Sequence, residues 1–444
     1  MKKVYLETFG CQMNVSDSER VATQLVADGF EMTSNEATAD VVLINTCSVR
    51  EKAEHKLYTR VGQIRNSERE NNQIIGVLGC VAQLEGETLF NGRNKIDFVL
   101  GTKAVGRISE AVGKVLDGEK NYFDLGERED FYNWSVAQSQ RGSPYIAFVP
   151  IIEGCNKFCT YCIVPFSRGR EKSLPAAEII RQILTLQSQG VKEVHLIGQN
   201  VNSYRPKTDS GLENFKGATA FSRLLRAVAA TGIERIKFNT SFPRDFHADI
   251  VDVINENENL CNWVHLPVQS GSNNILKAMR RGHSIESYLE KIDKIKSSPR
   301  RLSLTTDVII GFPNETEKDF QDTLKMADYC KFDSAYIFKY SPRPGTPSFE
   351  IVDNVSAEEK TDRFLRFERL IKHNQISLFR KYVDKTLEVL VEKVSNKNET
   401  DLSGHTTCQK VVNFKGNSEL LGKIVKVKIS EAKINTLYGE VCDK

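Results

Sequence analysis

Residues 154–162 read GCNKFCTYC, so that three cysteines with the spacing C-x3-C-x2-C stand on one short loop. Three thiolates placed in this way suit a 4Fe-4S cluster, because iron–sulfur clusters select soft sulfur ligands. Cys155, Cys159 and Cys162 would each bind one iron, and the fourth iron would stay open to a small molecule that offers an amine and a carboxylate. Two alternatives stay open here: a zinc site that a distant fourth ligand completes, and three buried structural thiols.

The loop directly follows the first of six predicted strands, which alternate with predicted helices. The strands are expected at residues 146–152, 193–197, 235–239, 264–268, 302–310 and 335–340. Consecutive units of strand and helix predict a partial (β/α)6 barrel, whose functional face lies at the carboxyl ends of the strands. At these ends we expect residues that bind a cofactor or substrate, with ordinary turn and helix-cap roles as the alternative. The expected residues are Gln199, Asn200, Gln269 and Gly311.

A second alternation of strands and helices precedes the barrel. Its strands are expected at residues 4–9, 41–45, 74–78 and 96–100. This alternation predicts a parallel sheet that helices cover on both faces. The capping-box spacing of Ser16 and Glu19 predicts that the first helix begins at residue 16 and ends near residue 28.

Three further cysteines, Cys11, Cys47 and Cys80, each follow a strand of this predicted sheet. The carboxyl ends of parallel strands share one edge, and open α/β sheets bind ligands at that edge. Gly10 and Gly79 precede two of the cysteines and would let a bulky group approach the backbone closely. The pattern predicts a second iron–sulfur cluster, again with one free iron, and three ordinary buried cysteines are the alternative.

The last part of the chain changes character. A polar helix is expected at residues 357–382, followed by short strands at 387–392, 410–414 and 423–429, which indicate a small antiparallel β-barrel of OB-like shape. A basic face of this barrel would suit RNA, with a solvated strand surface as the alternative. That face would consist of Lys410, Lys423, Lys426 and Lys428. We therefore divide this α/β chain into an amino-terminal domain (1–119), a connector (120–143), the central barrel (144–375) and the small β-barrel (376–444).

The composition limits the classes of function. Of the 444 residues, 40% are hydrophobic and 27% are charged, and the formal net charge is only +3, so that any nucleic-acid surface must be local. No apolar run reaches the roughly 20 residues of a membrane span, and we expect a cytoplasmic monomer without membrane contact. In a reducing compartment the ten cysteines favour metal ligation or catalysis over disulfides.

The cysteine spacing in residues 155–162 resembles that of the radical S-adenosylmethionine superfamily. The resemblance extends over nearly the whole chain to the methylthiotransferase family, and most closely to its branch that modifies isopentenylated adenosine in tRNA. The stretches that carry it are residues 7–14 (ETFGCQMN), 152–165 (IEGCNKFCTYCIVP), 198–204 (GQNVNSY), 265–272 (HLPVQSGS) and 341–347 (SPRPGTP).

The resemblance implies two 4Fe-4S clusters and two S-adenosylmethionine molecules. One molecule would methylate sulfur on the cluster of Cys11, Cys47 and Cys80, and the other would be cleaved at the first cluster. The resulting 5′-deoxyadenosyl radical would remove hydrogen from C2 of an isopentenyladenosine beside the anticodon, and the methylthio group would be transferred to that carbon. The implied partners are a tRNA anticodon stem-loop bound with the help of a TRAM-like β-barrel, an electron donor such as a flavodoxin or ferredoxin, and the iron–sulfur assembly machinery.

Two further residues carry expectations. Glu315 stands four residues after Gly311, one more than in the superfamily's Gly-x-x-Glu adenine motif, and we expect it to place a negative charge in the first turn of the next helix. Arg168 follows the cysteine loop and could meet phosphate or a cofactor carboxylate, with a solvated charge pair as the alternative.

Two rival functions stay open. The first is another member of the same family, which would act on threonylcarbamoyl adenosine in tRNA or on a ribosomal-protein aspartate. The sequences of residues 9–14 and 198–202 favour isopentenyladenosine over these targets. The second rival, from another class, is a non-catalytic iron–sulfur protein that binds RNA, and cleavage of S-adenosylmethionine by the reduced protein would exclude it.

Overall fold

The computed structural model describes residues 1–48, 51–65, 73–91, 95–126, 136–395 and 398–442, with only the backbone at residues 51–55. These residues form three modules that follow one another along the chain: a parallel sheet with helices, a partial barrel and a small closed β-barrel. The predicted fold class is confirmed. Within the described ranges, no helix is long and apolar enough to cross a bilayer.

The first module is a six-stranded sheet in the order β2-β1-β3-β4-β5-β6, and all neighbouring strands run parallel. Helices α1 and α4 pack on one face, and α2 and α3 pack on the other. The strands are β1 (Lys3–Thr8), β2 (Glu31–Met32), β3 (Val41–Thr46), β4 (Ile74–Gly79), β5 (Phe98–Gly101) and β6 (Tyr122–Asp124). The helices are α1 (Gln12–Ala27), α2 (Glu51–Arg65), α3 (Cys80–Glu85) and α4 (Ile108–Leu116).

Three features of this module differ from the prediction, and the first is the short strand β2, which the sequence did not predict. Helix α1 begins at Gln12 rather than at residue 16, because Gly10 has a positive φ that turns the chain sharply and Cys11 is already the N-cap. Strand β6 lies within the predicted connector and extends the sheet by one strand, since Arg107 Nη2 fixes Asp124 Oδ1 at 2.7 Å. Residues 127–135 of that connector lie outside the described residues.

The central module contains six parallel strands in two groups, β7-β10-β11 and β12-β13-β14, which a parallel bridge between Ile236 and Leu260 connects. The short antiparallel pair of β8 and β9 flanks the loop of Cys155, Cys159 and Cys162, which we call the first cysteine triad. The strands are β7 (Ile146–Pro150), β8 (Ile152–Glu153), β9 (Lys172–Ser173), β10 (Glu193–Ile197), β11 (Arg235–Phe238), β12 (Trp263–His265), β13 (Ser303–Ile310) and β14 (Ser334–Lys339). The helices are α5 (Val164–Arg168), α6 (Ala176–Ser188), α7 (Ala220–Ala229), α8 (Asp249–Glu256), α9 (Asn273–Ala278), α10 (Ile285–Lys296), α11 (Glu317–Cys330) and α12 (Ala357–Arg380).

The carboxyl-terminal module is a closed barrel in the order β15-β16-β17-β19-β18. Its strands are β15 (Thr386–Val394), β16 (Asp401–Thr406), β17 (Val411–Lys415), β18 (Ile424–Ala432) and β19 (Leu437–Val441). The prediction missed β19 and also β16, whose sequence DLSGHT is polar although all its residues are buried. The pairs are antiparallel as expected, except that β17 and β19 run parallel.

This small barrel packs against the amino-terminal ends of the central strands. Arg235, the first residue of β11, is buried and donates from Nη1 to the carbonyl oxygen of His405 at 2.9 Å. Glu193, the first residue of β10, accepts a hydrogen bond from His405 Nε2 at 2.8 Å. The carboxyl ends of the same strands are therefore left to the functional site.

The basic face predicted for the small barrel is smaller than expected. Lys410 is buried, and its Nζ lies 2.7 Å from Asp333 Oδ1 of the central module. Its ammonium group therefore stabilises the contact between modules and is not available to RNA, which corrects the prediction. The other lysines of the set are exposed: Lys423, Lys426 and Lys428.

His405 makes the contact between the two modules sensitive to pH. Burial on its own lowers the pKa of His405, but the charge of Glu193, with further help from Glu392, raises it to about 9. A histidine that is charged only in the folded state stabilises fully below its unfolded pKa of about 6.5, and this stabilisation is lost as the pH rises through about 9. We therefore expect the interface to weaken between pH 7 and pH 10.

The expected loss is about 2–3 kcal/mol of unfolding free energy. Urea unfolding of the wild type and of His405→Gln at pH 7 and pH 10 measures it, because groups that titrate in both proteins cancel in the comparison. The wild type is expected to lose about 2 kcal/mol more than the variant over this range. Equal losses in the two proteins would show that His405 does not carry the effect.

Candidate functional site

The first cysteine triad lies on the loop between β8 and α5. Gly154 opens this loop with a φ of 78°, and a Cβ at this position would stand 2.2 Å from a backbone carbonyl oxygen, so that glycine is required. The backbone N–H of Cys155 donates to the carbonyl of Gly169 at 3.0 Å, and that of Cys162 donates to the carbonyl of Cys159 at 3.0 Å. These bonds hold the triad on one compact turn.

Cys159 lies close enough to influence the ionisation of Cys155 and Cys162. Burial raises the pKa of Cys155 to about 11 and that of Cys162 to about 12, and the neighbouring Cys159 is a further cause that raises both. A thiolate triad at this place therefore needs a bound cation. Ligation of a metal supplies one, because coordinating thiols are deprotonated. The donor set thus fits a metal–sulfur centre.

Arg281 brings a fixed positive charge to this triad. Its side chain is buried, with Nη1 3.5 Å from Cys159 Sγ, and its Nη2 donates to the carbonyl oxygen of Pro267 at 2.7 Å. The guanidinium carbon also lies 4.2 Å from the ring centroid of Phe242. Arg281 was not predicted from the sequence, because its contact with the cysteines is tertiary. Its place shortly after the fourth barrel strand is the available signal.

Several buried polar atoms at this carboxyl edge have no hydrogen-bond partner within the part of the chain that the structure describes. They include Nε of Arg281, Oε1 of Gln269 and Oγ of Ser241. Gln269 has a φ of 78°, and its N–H donates to the carbonyl of Asp307 at 2.9 Å, which fixes the backbone. A donor and an acceptor are therefore available to a bound polar molecule, and the binding of a cofactor by Gln269 stays a prediction.

The other two polar candidates of this edge are engaged with the protein. Gln199 Oε1 accepts the backbone N–H of Gly154 at 2.6 Å and so positions the cysteine loop directly. Asn200 is buried, its Nδ2 donates to Ser203 Oγ at 2.6 Å, and its Oδ1 accepts the N–H of Phe242 at 3.0 Å. Asn200 thus holds the loops after β10 and β11 together.

Gly311 and Glu315 form one turn after β13. The N–H of Gly311 donates to Glu315 Oε2 at 2.9 Å, and Arg363 Nη1 lies 3.1 Å from the same oxygen. Burial raises the pKa of Glu315 to about 7. Glu315 therefore lies buried before helix α11, which begins at Glu317 with Thr316 as its N-cap. The prediction that Glu315 places a negative charge in the first turn of this helix was wrong.

The second cysteine triad lies at the carboxyl edge of the first sheet. Cys11 is the N-cap of α1 after β1, Cys47 follows β3, and Cys80 opens α3 after β4. These three strands are direct neighbours in the sheet, in the order β1-β3-β4. The sequence predicted that the cysteines share an edge but could not give the strand order, which makes them adjacent.

Contacts around this triad are tight. A Cβ on Gly10 would stand 2.5 Å from Cys47 Cβ, and one on Gly79 would stand 2.3 Å from Asn45 Oδ1. A hydrogen bond with Cys47 lowers the pKa of Cys11 to about 6. Gly10 therefore keeps space for the Cys47 side chain, Gly79 permits the close approach of its strand to Asn45 beside the triad, and the donor set again fits a metal–sulfur centre.

In the described ranges, no group of three or more His, Cys, Asp or Glu side chains is arranged to hold a metal ion. A 4Fe-4S cluster requires a wider arrangement of ligands than a single metal ion, because each thiolate binds its own iron and the sulfur atoms do not meet at one point.

The two triads belong to modules that contact each other near the carboxyl ends of their strands. Asn239, which follows β11, donates from Nδ2 to Oε1 of Gln12 at 2.6 Å, directly beside Cys11. Arg168, the last residue of α5, is buried in the same contact, with Nη1 2.8 Å from Asp17 Oδ2. The solvated charge pair considered for Arg168 is therefore wrong.

Models of three protein families match the chain. Residues 3–101 match the uncharacterized protein family UPF0004, residues 149–327 match the radical SAM superfamily, and residues 380–442 match the TRAM domain. The superfamily match implies one 4Fe-4S cluster and S-adenosylmethionine.

Curated relatives match over almost the full length. The tRNA-2-methylthio-N(6)-dimethylallyladenosine synthase of Alkalilimnicola ehrlichii is 40% identical over 441 residues, which cover 99% of this chain and 97% of that protein. The protein of the same name from Yersinia pseudotuberculosis serotype O:3 is 41% identical and covers 99% of this chain and 92% of its own length.

Solved structures support the fold alone. The radical S-adenosylmethionine methyltransferase TsrM from Kitasatospora setae superposes with a TM-score of 0.57 at 11% identity, over 87% of this chain and 78% of that chain. The cobalamin-dependent radical enzyme OxsB gives a TM-score of 0.51 at 13% identity, over 84% of this chain and 56% of that chain.

Proposed function

The chain belongs to the tRNA-2-methylthio-N6-dimethylallyladenosine synthase family of radical S-adenosylmethionine methylthiotransferases, and from this premise we propose its reaction in detail. It is a transferase that inserts sulfur and transfers a methyl group at C2 of N6-isopentenyladenosine next to the anticodon of tRNA. The reaction uses two S-adenosylmethionine molecules. The observation that carries this proposal is the presence of two cysteine triads on modules that contact each other through Asn239 and Gln12.

Cys155, Cys159 and Cys162 hold the cluster that binds S-adenosylmethionine. When bound there, the cluster supplies the electron that cleaves this molecule and so provides a 5′-deoxyadenosyl radical. The three cysteine side chains on one short turn support metal ligation, and Gly154 with Gln199 supports a fixed loop.

Cys11, Cys47 and Cys80 hold a second 4Fe-4S cluster, which when bound would carry the sulfur atom that is transferred. Their place on three adjacent strand ends supports this assignment, as does Gly10, which leaves room beside Cys47. The substrate carbon has no acidic proton and no leaving group, so that removal of a hydrogen atom, rather than acid–base chemistry, must open it.

The chain's own side chains bind and orient the small molecule. Gln269 Oε1 and Arg281 Nε are among the buried groups with open hydrogen-bonding capacity at this edge within the described residues. We assign Gln269 and the turn at Gly311 to the S-adenosylmethionine site, while Gln199 and Asn200 position its loops. Together they form a preorganised site, which lowers the cost of orientation during the reaction.

The small β-barrel contacts the tRNA through Lys423, Lys426 and Lys428, which are exposed on and beside β18. Because this barrel packs at the amino-terminal ends of the central strands, it leaves their carboxyl edge open to the anticodon loop. Splaying one base out of a single-stranded loop costs only a few kcal/mol. A flavodoxin or ferredoxin supplies electrons, iron–sulfur assembly proteins load the clusters, and the enzyme acts as a cytoplasmic monomer.

Mass spectrometry of nucleosides tests the proposed reaction. The anaerobically reconstituted protein is incubated with S-adenosylmethionine, a reductant and tRNA that carries isopentenyladenosine. We expect 2-methylthio-N6-isopentenyladenosine, and no methylthiolated nucleoside from tRNA that lacks the isopentenyl group. Methylthiolation of threonylcarbamoyl adenosine or of a ribosomal-protein aspartate instead would contradict the proposed substrate. Absence of S-adenosylmethionine cleavage would contradict the enzyme class.

A further inference from the structure

Arg168 connects the structural elements that carry the two triads. Its Nη1 lies 2.8 Å from Asp17 Oδ2 and 3.3 Å from Glu153 Oε1, and its Nη2 lies 3.3 Å from Asn14 Oδ1. Asp17 and Asn14 belong to α1, which starts directly after Cys11. Glu153 ends β8, two residues before Cys155 in the chain. One guanidinium group therefore contacts both cluster-bearing modules.

Asn14 relays this contact to the second triad. Its Oδ1, which accepts from Arg168, also lies 3.4 Å from Cys11 Sγ. Its Nδ2 donates to the carbonyl of Thr46 at 2.9 Å, immediately before Cys47. The orientation of Asn14 thus sets the positions of two of the three cysteines.

The charge of Arg168 is also matched to its surroundings. Burial opposes this charge, but Asp17, Cys80, Glu153 and Cys11 together hold the pKa of Arg168 well above its ordinary value. The side chain is 2% exposed, so that water does not weaken these attractions. Without this cation, the Asp17 and Glu153 carboxylates would lie close to a cluster site that is itself rich in negative charge.

We propose that Arg168 is a positioning residue that couples the two cluster sites, fixing the helix after Cys11 against the strand before Cys155. The inference rests on the proposed second cluster. Its consequence is that a radical formed at one site meets sulfur held at the other in a productive geometry. A displacement of about 1 Å can cost about 100-fold in rate. A loosened contact is therefore expected to let S-adenosylmethionine cleavage proceed without transfer of the methylthio group. Lysine cannot replace this residue, because it lacks the planar fork that reaches several oxygens at once.

The first test measures coupling. Arg168→Lys and Arg168→Gln are compared with Arg181→Gln, which replaces an exposed arginine of α6. We expect both Arg168 variants to cleave S-adenosylmethionine but to form about tenfold more 5′-deoxyadenosine per methylthiolated nucleoside than the wild type. The control is expected to keep the wild-type ratio. A wild-type ratio in both Arg168 variants would overturn the proposal.

The second test separates charge from geometry. With Cys155, Cys159 and Cys162 all replaced by alanine, only the second cluster remains, and its reduction potential is measured by EPR-monitored titration. We expect Arg168→Gln to lower this potential, because a nearby positive charge favours the reduced cluster, and Arg168→Lys to leave it close to that of the parent protein. A role in folding alone would change the iron content without shifting the reduction potential. An unchanged potential in Arg168→Gln would contradict the claim that the charge of Arg168 acts on the second cluster.

A third variant covers the case in which Arg168→Gln does not fold. Asp17→Asn removes one charge but keeps the size of the side chain, and it should raise the same product ratio in the same direction by a smaller factor. An unchanged ratio here would contradict the coupling. If instead the wild type cleaves S-adenosylmethionine but methylthiolates no substrate, the proposed function fails rather than the role of Arg168.

Discussion

Replacing Cys159 by alanine is expected to abolish S-adenosylmethionine cleavage. Cys159 is buried, is one of only three thiols on its loop, and is the one that Arg281 Nη1 approaches at 3.5 Å. Removal of groups that merely support a metal ligand already costs about 10- to 100-fold, so that loss of a ligand itself should exceed 100-fold. Arg281 would also lose its contact with the Cys159 sulfur.

Anaerobic reconstitution followed by quantification of 5′-deoxyadenosine measures this effect. Cys330→Ala is the matched control, because Cys330 is also a buried cysteine of the central module but packs in its hydrophobic core. The control should bind iron as the wild type does, whereas Cys159→Ala should lose about four of about eight irons per chain. Normal 5′-deoxyadenosine formation by Cys159→Ala would exclude the assignment of this triad.

Local patterns were sufficient to predict most of the fold. The apolar run of β3 reads VVLINT, and its complete burial follows from helices on both faces of a parallel sheet. The capping-box spacing at Ser16 misled the prediction of α1, because Cys11 caps the helix earlier. Strand β16 has no apolar alternation and is buried by its neighbours and by the contact with the central module, which its own sequence does not encode.

The candidate site shows the same division between local and tertiary information. The positions of the cysteines on one loop and at three strand ends could be predicted, since their spacing and the strands before them are local features. Arg281 and the buried role of Glu315 could not, because each depends on a partner far along the chain: Cys159 for the former and Arg363 for the latter. Lys410 was misassigned for the same reason, since its pairing with Asp333 exists only once the modules pack.

Replacing Cys47 by alanine is expected to stop methylthiolation while S-adenosylmethionine cleavage continues. Cys47 follows β3, the strand between β1 and β4, so that its loss removes the central member of the second triad. Cys11 would also lose the neighbour that lowers its pKa to about 6. The first triad lies on another module and keeps all its thiols. We therefore expect the methylthiolated nucleoside to fall by more than about 100-fold, while 5′-deoxyadenosine is still formed.

Measurement of both products in one reaction distinguishes this result from general damage. Cys261→Ala is the matched control, because Cys261 is equally buried but is not part of either triad. The control should keep both products, whereas Cys47→Ala should keep only 5′-deoxyadenosine and about four irons per chain. Full methylthiolation by Cys47→Ala would mean that sulfur does not come from this edge of the first sheet. Loss of both products together would mean that the two triads do not act as separable sites.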